Sequence, residues 1–544
     1  MDKKLYRWQK DCLLEWEKNH RRGIMHVVTG AGKTVLALAA IEQVRSLFPE
    51  LMVRIVVPTI PLARQWETSL RHSMKSEEWR PGLYGAGRRD DPDRHVMIYI
   101  INSARDSLSK HIKRDLALKR HVLLICDECH HYQSRENRKI FSFRTQIPVE
   151  GTSPAASPAE TQIPEQNQPP GRIGDRIDDS PLYMSLGLSA TPLGTANDAV
   201  LLSGIGPVIY EYGFDEAVTE GVISPFTVCE VSASFYAEEG AQYALLTDRI
   251  RRTLAMLYAE HPKLKELNEK AFLKTVSKIA AEADMDPDEP AAAFLILTYQ
   301  RKEVSNLARA RLACCLSILQ KLREDDRVLI FCERISQAEE MTGQIRREFG
   351  NICGIYHSQL SAEARKRTLT EFRENRTRIL VSCRCLDEGI DVPDANIGIV
   401  MSSTAVERQR IQRLGRVIRR TDNKQAACLY YIYIRESTDD AAYLPSLEEC
   451  DTFSLRYYPA EKVFANDLYE YAAAQILASA RHRRYDKKQT EELRRCMEEG
   501  LARADYLLPE AAQESNRQLA KERHSRNYWA VMKRIGAEFR ERQD

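Results

Sequence analysis

The sequence lacks long apolar segments. Its apolar runs, such as residues 291–297, are far shorter than the roughly 20 residues that a membrane-spanning helix needs. The amino-terminal residues 1–23 are charged throughout and lack the apolar core of a secretory signal. We therefore expect a cytoplasmic protein that has no membrane partner.

The chain also has little net charge and no dense cysteine framework. It contains 80 Lys and Arg against 78 Asp and Glu in 544 residues, which gives a formal net charge of +2. This balance excludes a globally basic coat, so any contact with phosphates must use local clusters. The 13 cysteines are scattered, as in reduced intracellular proteins. Cys126 and Cys129 have no second pair at metal-binding spacing, which disfavours a zinc site.

The apolar pattern predicts an α/β fold with two parallel sheets. Unbroken β-branched runs alternate with helical patterns in two stretches of the chain, as in parallel sheets that are covered by helices on both faces. The predicted strands are residues 24–28, 54–57, 96–101, 122–126 and 186–189 in the first stretch, and 328–332, 379–383, 397–401 and 429–434 in the second.

The remaining segments predict four domains. Between the two stretches, apolar residues recur at spacings of three and four, which indicates helices, and the pattern after about residue 440 is again helical and charged. Residues 147–181 are rich in proline and poor in aliphatic side chains, which predicts a disordered insertion. We therefore predict a first α/β domain, a helical insertion, a second α/β domain and a helical carboxyl-terminal domain at residues 1–225, 226–323, 324–440 and 441–544.

A glycine-rich loop follows the first predicted strand and precedes a helical pattern. Glycines let backbone N–H groups turn toward phosphate oxygens, and the amino terminus of a helix favours negative charge. In such a loop Lys33 would contact the β- and γ-phosphates of a nucleotide, and Thr34 would bind Mg²⁺. The predicted nucleotide-binding residues here are Thr29, Gly30, Ala31, Gly32, Lys33 and Thr34.

An acidic pair ends the fourth predicted strand. Asp127 and Glu128 directly follow residues 122–126, about 90 residues after the glycine-rich loop. In a nucleoside triphosphatase one carboxylate in this position holds Mg²⁺, and its neighbour can accept a proton from the attacking water. We predict that Asp127 is the Mg²⁺ ligand and that Glu128 is the general base.

The order of these motifs resembles that of superfamily 2 helicases and translocases of the DEAD/DEAH type. Besides T-G-A-G-K-T at 29–34 and D-E-C-H at 127–130, the chain contains Pro58-Thr59 with Gln65 downstream. It then has S-A-T at 189–191, D-E-G-I-D-V-P at 387–393 and Q-R-L-G-R-V-I-R at 412–419. The resemblance covers most of residues 5–435. It implies two RecA-like domains with an ATP site between them.

The resemblance assigns nucleotide contacts outside the glycine-rich loop. Gln9 lies in a segment similar to the family's adenine motif and would form hydrogen bonds with the adenine edge. Asp391 would lie near the ribose and the γ-phosphate, and Gly389 would allow the backbone to approach the nucleotide closely. His130 would contact the S-A-T segment across the gap between the two domains.

The resemblance also assigns an arginine motif to the second domain. Gln412, Arg416 and Arg419 fall on one face of a helix by their spacing. In the family this face points toward the triphosphate. Arg419 would be the arginine finger, with Arg416 beside it.

The later motifs resemble those of xeroderma-pigmentosum-B-type repair helicases and of restriction-enzyme helicase subunits more than those of RNA helicases. The resemblance implies an ATP- and Mg²⁺-dependent helicase that acts in repair, restriction or phage defence, with duplex DNA favoured over RNA and room for protein partners. Two alternatives stay open. A P-loop kinase would have one α/β domain and no arginine motif, whereas a nucleotide-gated DNA- or RNA-binding clamp subunit of a defence complex would keep these residues but unwind little.

Overall fold

The computed structural model describes residues 5–74, 76–144, 182–190, 199–383, 395–401, 415, 417, 426–438, 452–482, 484–508 and 510–540. The described residues up to Ala217 form one compact unit, and those from Val218 onward form a second. The predicted disordered insertion at 147–181 lies outside the described residues. Among those described, no helix has both the length and the apolar character needed to cross a bilayer.

The first unit is built on an eight-stranded sheet in the order β4-β3-β5-β2-β6-β7-β1-β8, in which every neighbouring pair except β3 and β4 is parallel. Its strands are β1 (Arg22–Val27), β2 (Met52–Val57), β3 (Gly82–Gly85), β4 (Arg88–Arg89), β5 (Val96–Ile100), β6 (Val122–Asp127), β7 (Tyr183–Ser189) and β8 (Val208–Tyr212). Its helices are α1 (Arg7–Lys18), α2 (Lys33–Leu47), α3 (Ile60–Ser73), α4 (Ile101–Ala104), α5 (Leu108–Ala117) and α6 (Ala199–Gly204), and α7 (Phe214–Thr219) leads into the second unit.

The central strands β2, β5, β6 and β7 are buried along their whole length, as expected for parallel strands covered on both faces. One charged residue in these strands is Arg54 of β2, which is fully buried. Its Nη2 and Nε donate to Asp115 Oδ2 of α5 at 2.7 and 3.0 Å, and its other donors reach the carbonyls of Pro92 and Arg94 at 2.9 Å. This pairing compensates the desolvation of the guanidinium.

The second unit contains another eight-stranded sheet in the order β11-β12-β10-β13-β14-β9-β15-β16, in which β15 and β16 are antiparallel and the other neighbours parallel. Its strands are β9 (Phe226–Ala233), β10 (Val328–Cys332), β11 (Cys353–Tyr356), β12 (Ile379–Cys383), β13 (Ile397–Val400), β14 (Ala427–Ile434), β15 (Thr452–Tyr458) and β16 (Val463–Ala465). Its described helices are α8 (Ala237–Glu260), α9 (Glu269–Glu282), α10 (Pro290–Asn306), α11 (Arg309–Lys321), α12 (Ile335–Phe349), α13 (Ala362–Arg373), α14 (Asp467–His482), α15 (Lys487–Arg503), α16 (Glu510–Leu519) and α17 (Arg523–Arg540).

Helices α8, α9 and α10 form a helical subdomain with a core of its own. Leu246 and Leu257 of α8, Val276 of α9, and Phe294 and Leu297 of α10 belong to one buried cluster. Their spacing puts them on one face of each helix, which is the pattern that predicted a helical insertion here.

The structure differs from the predicted domain boundaries at both helical regions. Strand β9 lies at the start of the predicted insertion, yet it pairs with β14 and β15 in the second sheet. Helix α11 also packs in the core of that sheet, through Cys314 and Ile318. Two further strands, β15 and β16, lie in the segment predicted to be helical after residue 440. The second α/β domain therefore draws strands from both regions that the sequence pattern assigned to helices alone.

Candidate nucleotide-binding site

The glycine-rich loop joins β1 to α2 through two left-handed residues. Gly30 has φ +84° and Gly32 has φ +98°, a region that L side chains rarely adopt. A Cβ at Gly32 would also lie 3.2 Å from Gln9 Nε2. Both positions therefore favour glycine. Gly32 is the N-cap of α2, so the loop ends at the positive end of a helix.

Gln9 is buried against this loop. Its Nε2 donates to the carbonyl of Gly32 at 3.2 Å, and its Oε1 accepts from the Tyr6 amide at 2.9 Å in a capping box of α1. The neighbouring Trp8 is also buried and stacks on Tyr212 with ring centroids 4.9 Å apart. Gln9 thus lies next to the predicted phosphate site, while its contact with adenine stays a prediction.

Lys33 is the first residue of α2. Its Nζ donates to the carbonyls of Val27 at 3.0 Å and of Val28 at 3.3 Å. The ammonium therefore lies within the turn of the loop, at the carboxyl end of β1. Thr34 follows it in the first turn of the helix, and Ala31 is buried beneath the loop.

Three adjacent strands bring the predicted motifs together. Strand β7 lies between β1 and β6, and all three run parallel. Their carboxyl ends therefore meet at one edge of the sheet, where open α/β sheets bind ligands. That edge holds the glycine-rich loop after β1, Ser189 at the end of β7, and Asp127 at the end of β6.

Asp127 is held in place by two donors. Trp66 Nε1 of α3 donates to Oδ2 at 2.8 Å, and the Glu128 amide donates to Oδ1 at 3.1 Å. Burial raises the pKa of Asp127 above its ordinary value, while the Trp66 hydrogen bond and the charge of Lys33 lower it. The influence of Lys33 links the predicted Mg²⁺ ligand electrostatically to the predicted phosphate-binding lysine.

Glu128 adopts a strained backbone conformation. It has φ +47° and ψ +53°, which is left-handed and uncommon for a non-glycine residue. Its side chain is mostly buried, with Oε2 3.6 Å from His130 Nδ1. Such conformations cluster at functional sites, where the surrounding structure enforces them.

His130 connects Glu128 with the end of β7. Its Nδ1 also lies 3.1 Å from Ser189 Oγ. The His130 imidazole therefore lies between the Glu128 carboxylate and the Ser189 hydroxyl. The predicted contact between His130 and the S-A-T segment is therefore present at Ser189. However, the prediction that it spans the gap between two domains is wrong, because all three residues belong to the first unit.

Sequence reasoning missed two side chains at this edge. Trp66 lies one residue after Gln65 and was not linked to the acidic pair, because no local signal shows that α3 packs beside β6. His26 is a polar residue near the end of the apolar strand β1, with Nδ1 3.9 Å from Glu211 Oε1. Burial lowers the pKa of His26 below its ordinary value, although the Glu211 carboxylate opposes the shift.

Two family models match the chain. One, described as the res subunit of type III restriction enzymes, matches residues 2–193, and the helicase conserved C-terminal domain matches residues 310–421. Together they span more than half of the sequence. The chain belongs to the superfamily 2 helicases and translocases. The predicted family and the predicted enzyme class, an ATP-hydrolysing helicase or translocase, are confirmed.

Similar proteins include both DNA and RNA enzymes. The DNA 3'-5' translocase XPB2 of Sulfurisphaera tokodaii is 26% identical over 419 residues, which cover 77% of this chain and 79% of the translocase. The ATP-dependent RNA helicase dbp3 of Sclerotinia sclerotiorum is 31% identical over 108 residues, 20% of this chain and 18% of that helicase. Among solved structures, the ATP-dependent Type ISP restriction-modification enzyme LlaBIII bound to DNA is 14% identical, with a TM-score of 0.50. The match covers 100% of this chain and 40% of the LlaBIII chain.

These similarities also confirm the predicted fold class. The two mostly parallel sheets of this helicase, its helical subdomain and its carboxyl-terminal helices agree with tandem RecA-like domains that bear a helical insertion and a helical extension. The likeness to LlaBIII concerns the fold alone at this level of identity.

The second half of the predicted ATP site lies outside the described residues of the helicase. This applies to Gly389, Asp391, Gln412, Arg416 and Arg419, and to Thr191 of the S-A-T segment. Their assignments stay predictions.

The described residues of the helicase suit ATP and Mg²⁺ better than a protein-bound transition metal. They contain no group of three or more His, Cys, Asp or Glu side chains that could hold a metal ion. Cys126 and Cys129 are buried, and burial raises the pKa of both thiols, which disfavours thiolate ligands. Mg²⁺ commonly uses one or two carboxylates together with substrate phosphates, which fits a single buried Asp127 beside a glycine-rich loop.

Proposed function

We propose that this helicase is an ATP- and Mg²⁺-dependent motor that moves along duplex DNA. The observation that best supports an ATP site is the arrangement at the carboxyl edge of the first sheet. There, the loop after β1 contains two left-handed glycines and Lys33, and only β7 separates β1 from β6, which ends at Asp127. The charge of Lys33 lowers the pKa of the Asp127 carboxyl group against the effect of burial. A loop that exposes backbone amides and an ammonium is suited to phosphates, and a buried carboxylate is suited to their counter-ion.

Each residue of this edge has a role in the proposed reaction. The loop 29–34 would bind the phosphates through its backbone amides and Lys33. Gln9 would hold this loop and form hydrogen bonds with the adenine ring. Thr34 and Asp127 would hold Mg²⁺, which neutralises phosphate charge when it is bound. Glu128 would accept the proton of the attacking water.

The environment of Glu128 supports its assignment as the base. Its backbone is left-handed, and its Oε2 lies 3.6 Å from His130 Nδ1. His130 is itself oriented by Ser189 at 3.1 Å. A carboxylate restrained in this way loses little rotational freedom when it takes a proton.

We also propose that residues of the second unit complete the ATP site. Arg419, with Arg416 and Gln412, would stabilise charge on the transferred phosphoryl group, and Gly389 and Asp391 would contact the nucleotide. The family model that spans residues 310–421 supports this division of labour between two domains.

Duplex DNA is proposed because of how much of the chain each relative matches. The relative named as a DNA translocase aligns with 77% of this chain, whereas the RNA helicase aligns with 20%. The shared part with the RNA enzyme is thus local, while the match to the DNA enzyme includes both units. We place this activity in the cytoplasm, since the 13 cysteines are scattered along the sequence as in reduced intracellular proteins.

The experiment that tests the proposal compares ATP hydrolysis with single-stranded DNA, duplex DNA and duplex RNA at saturating ATP. We expect the largest stimulation with duplex DNA. The largest stimulation with duplex RNA would contradict the choice of substrate, and hydrolysis that no nucleic acid changes would contradict the motor itself. Strand displacement measured in the same samples separates a motor from a clamp, because a clamp would hydrolyse ATP without separating strands.

A further inference from the structure

The turn between α10 and α11 lies against the carboxyl edge of the second sheet. Ser305 and Asn306, at the end of α10, are almost completely buried. The carbonyl of Asn306 accepts from Gln337 Nε2 at 2.7 Å, and Gln337 belongs to α12, which follows β10. The helical subdomain α8–α10 therefore ends in a polar contact with the sheet rather than in a loose linker.

Arg311 lies directly beneath this turn and is fully buried. Its Nε donates to the carbonyl of Ser305 at 2.7 Å. Its Nη1 donates to the carbonyl of Met401 at 2.7 Å and also to that of Ile432. One guanidinium thus bonds to the last turn of α10, to the residue after β13 and to the carboxyl-terminal half of β14.

The acceptors of Arg311 explain why a buried cation is tolerated there. Carbonyls in the last turn of a helix have a negative partial charge, and the planar guanidinium offers five donors in a fixed geometry. The Met401 amide also donates to the carbonyl of Phe331 at the end of β10, at 2.9 Å. Met401 is therefore fixed on both sides, immediately before the chain continues toward residues 412–419.

We infer that Arg311 is a positioning residue for ATP hydrolysis, which links the orientation of the helical subdomain to the strand end that precedes Gln412, Arg416 and Arg419. This inference rests on the proposed function. A displacement of about 1 Å in a catalytic group can lower a rate by about a hundredfold. A change at Arg311 should therefore act on turnover, although the Arg311 side chain is fully buried within the second unit.

The chain provides a matched control within the same helix. Arg309 lies two residues before Arg311 and is 58% exposed. It forms ion pairs with Glu238 at 3.2 Å and Glu239 at 3.5 Å, and both acids lie in the first turn of α8. Arg309→Met therefore removes an arginine between α11 and the helical subdomain without affecting the strand ends.

The test measures kcat, KM for ATP and melting temperature for Arg311→Met, Arg311→Lys and Arg309→Met in the full chain with duplex DNA. Arg311→Lys is the decisive variant, because an ammonium keeps a buried donor but cannot form the planar fork. We expect Arg311→Lys to melt near the wild type and to lose about tenfold or more in kcat, with KM for ATP within about twofold. We expect Arg309→Met to match the wild type.

Wild-type kcat in a folded Arg311→Lys variant would overturn the inference, as would an equal loss in Arg309→Met. If Arg311→Met does not fold, the Lys variant still decides. Hydrogen exchange separates this inference from the proposed function. Faster exchange in residues 301–308 and 397–401 of Arg311→Lys alone supports the link even if the protein proves not to be DNA-stimulated, and unchanged exchange in both segments contradicts it.

Discussion

The carboxyl edges of the two sheets use polar side chains in different ways. At the first sheet, side-chain functional groups act on one another: Trp66 donates to Asp127, and His130 lies between Glu128 and Ser189. At the second sheet, Arg311 and Gln337 donate to main-chain carbonyls. The contacts at the first edge therefore act on the carboxylates of Asp127 and Glu128. The described contacts at the second edge fix the backbone at the end of α10 and after β13.

The two fully buried arginines show the same contrast. Arg54 in the first unit pairs with a carboxylate, Asp115, which itself is almost fully buried. In the described contacts, Arg311 of the second unit donates to carbonyls of α10, of β14 and of the residue after β13. A carboxylate partner satisfies the charge at one place, whereas several carbonyl partners connect separate elements. We therefore expect changes at Arg54 to affect stability and changes at Arg311 to affect turnover.

The largest expected effect comes from the phosphate-binding loop of the first edge. Lys33→Ala removes the ammonium that would contact the phosphates, so we expect no ATP hydrolysis above background. The melting temperature should stay near the wild type, because the contacts of Lys33 with the carbonyls of Val27 and Val28 are local in the chain. Lys18→Ala, which removes an exposed ion pair with Glu15 in α1, is the control. Hydrolysis by Lys33→Ala at the wild-type rate would show that the loop does not bind the reacting phosphates.

The next largest effect is expected at Arg419. It tests whether the second unit contributes a positively charged side chain to ATP hydrolysis. Arg419→Ala should slow single-turnover hydrolysis by about 10³–10⁵, because an arginine finger acts on charge that develops in the transition state. Arg419→Lys should not restore the rate, since an ammonium lacks the planar fork.

Arg420→Ala is the control for Arg419, since in the helix that the sequence predicts the next residue would point to a different face. If Arg419→Ala keeps more than about a tenth of the wild-type rate, the two-domain ATP site is misassigned.

Glu128→Gln tests the acid–base function of the first edge. The amide keeps the shape of the side chain but cannot accept the proton, so we expect hydrolysis to slow by about 10²–10⁴ while ATP and DNA still bind. Glu136→Gln changes an exposed acid eight residues later and should be silent. Fast single-turnover hydrolysis by Glu128→Gln would exclude Glu128 as the base.

Asp115→Asn should affect stability rather than turnover. It leaves the buried Arg54 without its carboxylate, and breaking one side of a buried ion pair costs about 3–5 kcal/mol in free energy of unfolding. Asp93→Asn changes an exposed acid that pairs with Arg114 and Arg120, and it should cost about 1 kcal/mol or less.

Urea unfolding measures both variants, with kcat as a check that the folded fraction works normally. An equal loss of unfolding free energy in Asp93→Asn and Asp115→Asn would show that burial of the Arg54–Asp115 pair does not determine its contribution to stability.

The smallest expected effect concerns the segment between the acidic pair and the S-A-T motif. Deletion of residues 151–180 should leave the melting temperature and ATP hydrolysis nearly unchanged, because a proline-rich segment poor in aliphatic residues has little to bury and its ends rejoin at low entropic cost. A marked loss of either quantity would show that the segment is folded or takes part in function.

Most strands of the two sheets could be predicted from local patterns. All nine predicted strands are present, because each is an apolar run long enough to be buried by itself. Seven of the described strands were not predicted: β3, β4, β8, β9, β11, β15 and β16. Among them, β9 and β15 have sequences, FTVCEVSA and TFSLRYY, that mix polar and apolar residues. Each of these two strands also has a partner far away in the chain: β9 pairs with β14 about 200 residues later, and β15 pairs with β9. No short window contains that information.

The amino-acid sequence by itself determined the phosphate loop, the acidic pair and the order of the helicase motifs, because these depend on residue type and short spacing. Only the tertiary structure decided that Trp66 holds Asp127, that the predicted contact of His130 with Ser189 lies within one unit, and that Arg311 joins a helix to two strand ends. These contacts follow from which strands lie side by side, and that order depends on the packing of the whole sheet. The reactive groups were thus visible in the sequence, and the side chains that orient them became visible only in the fold.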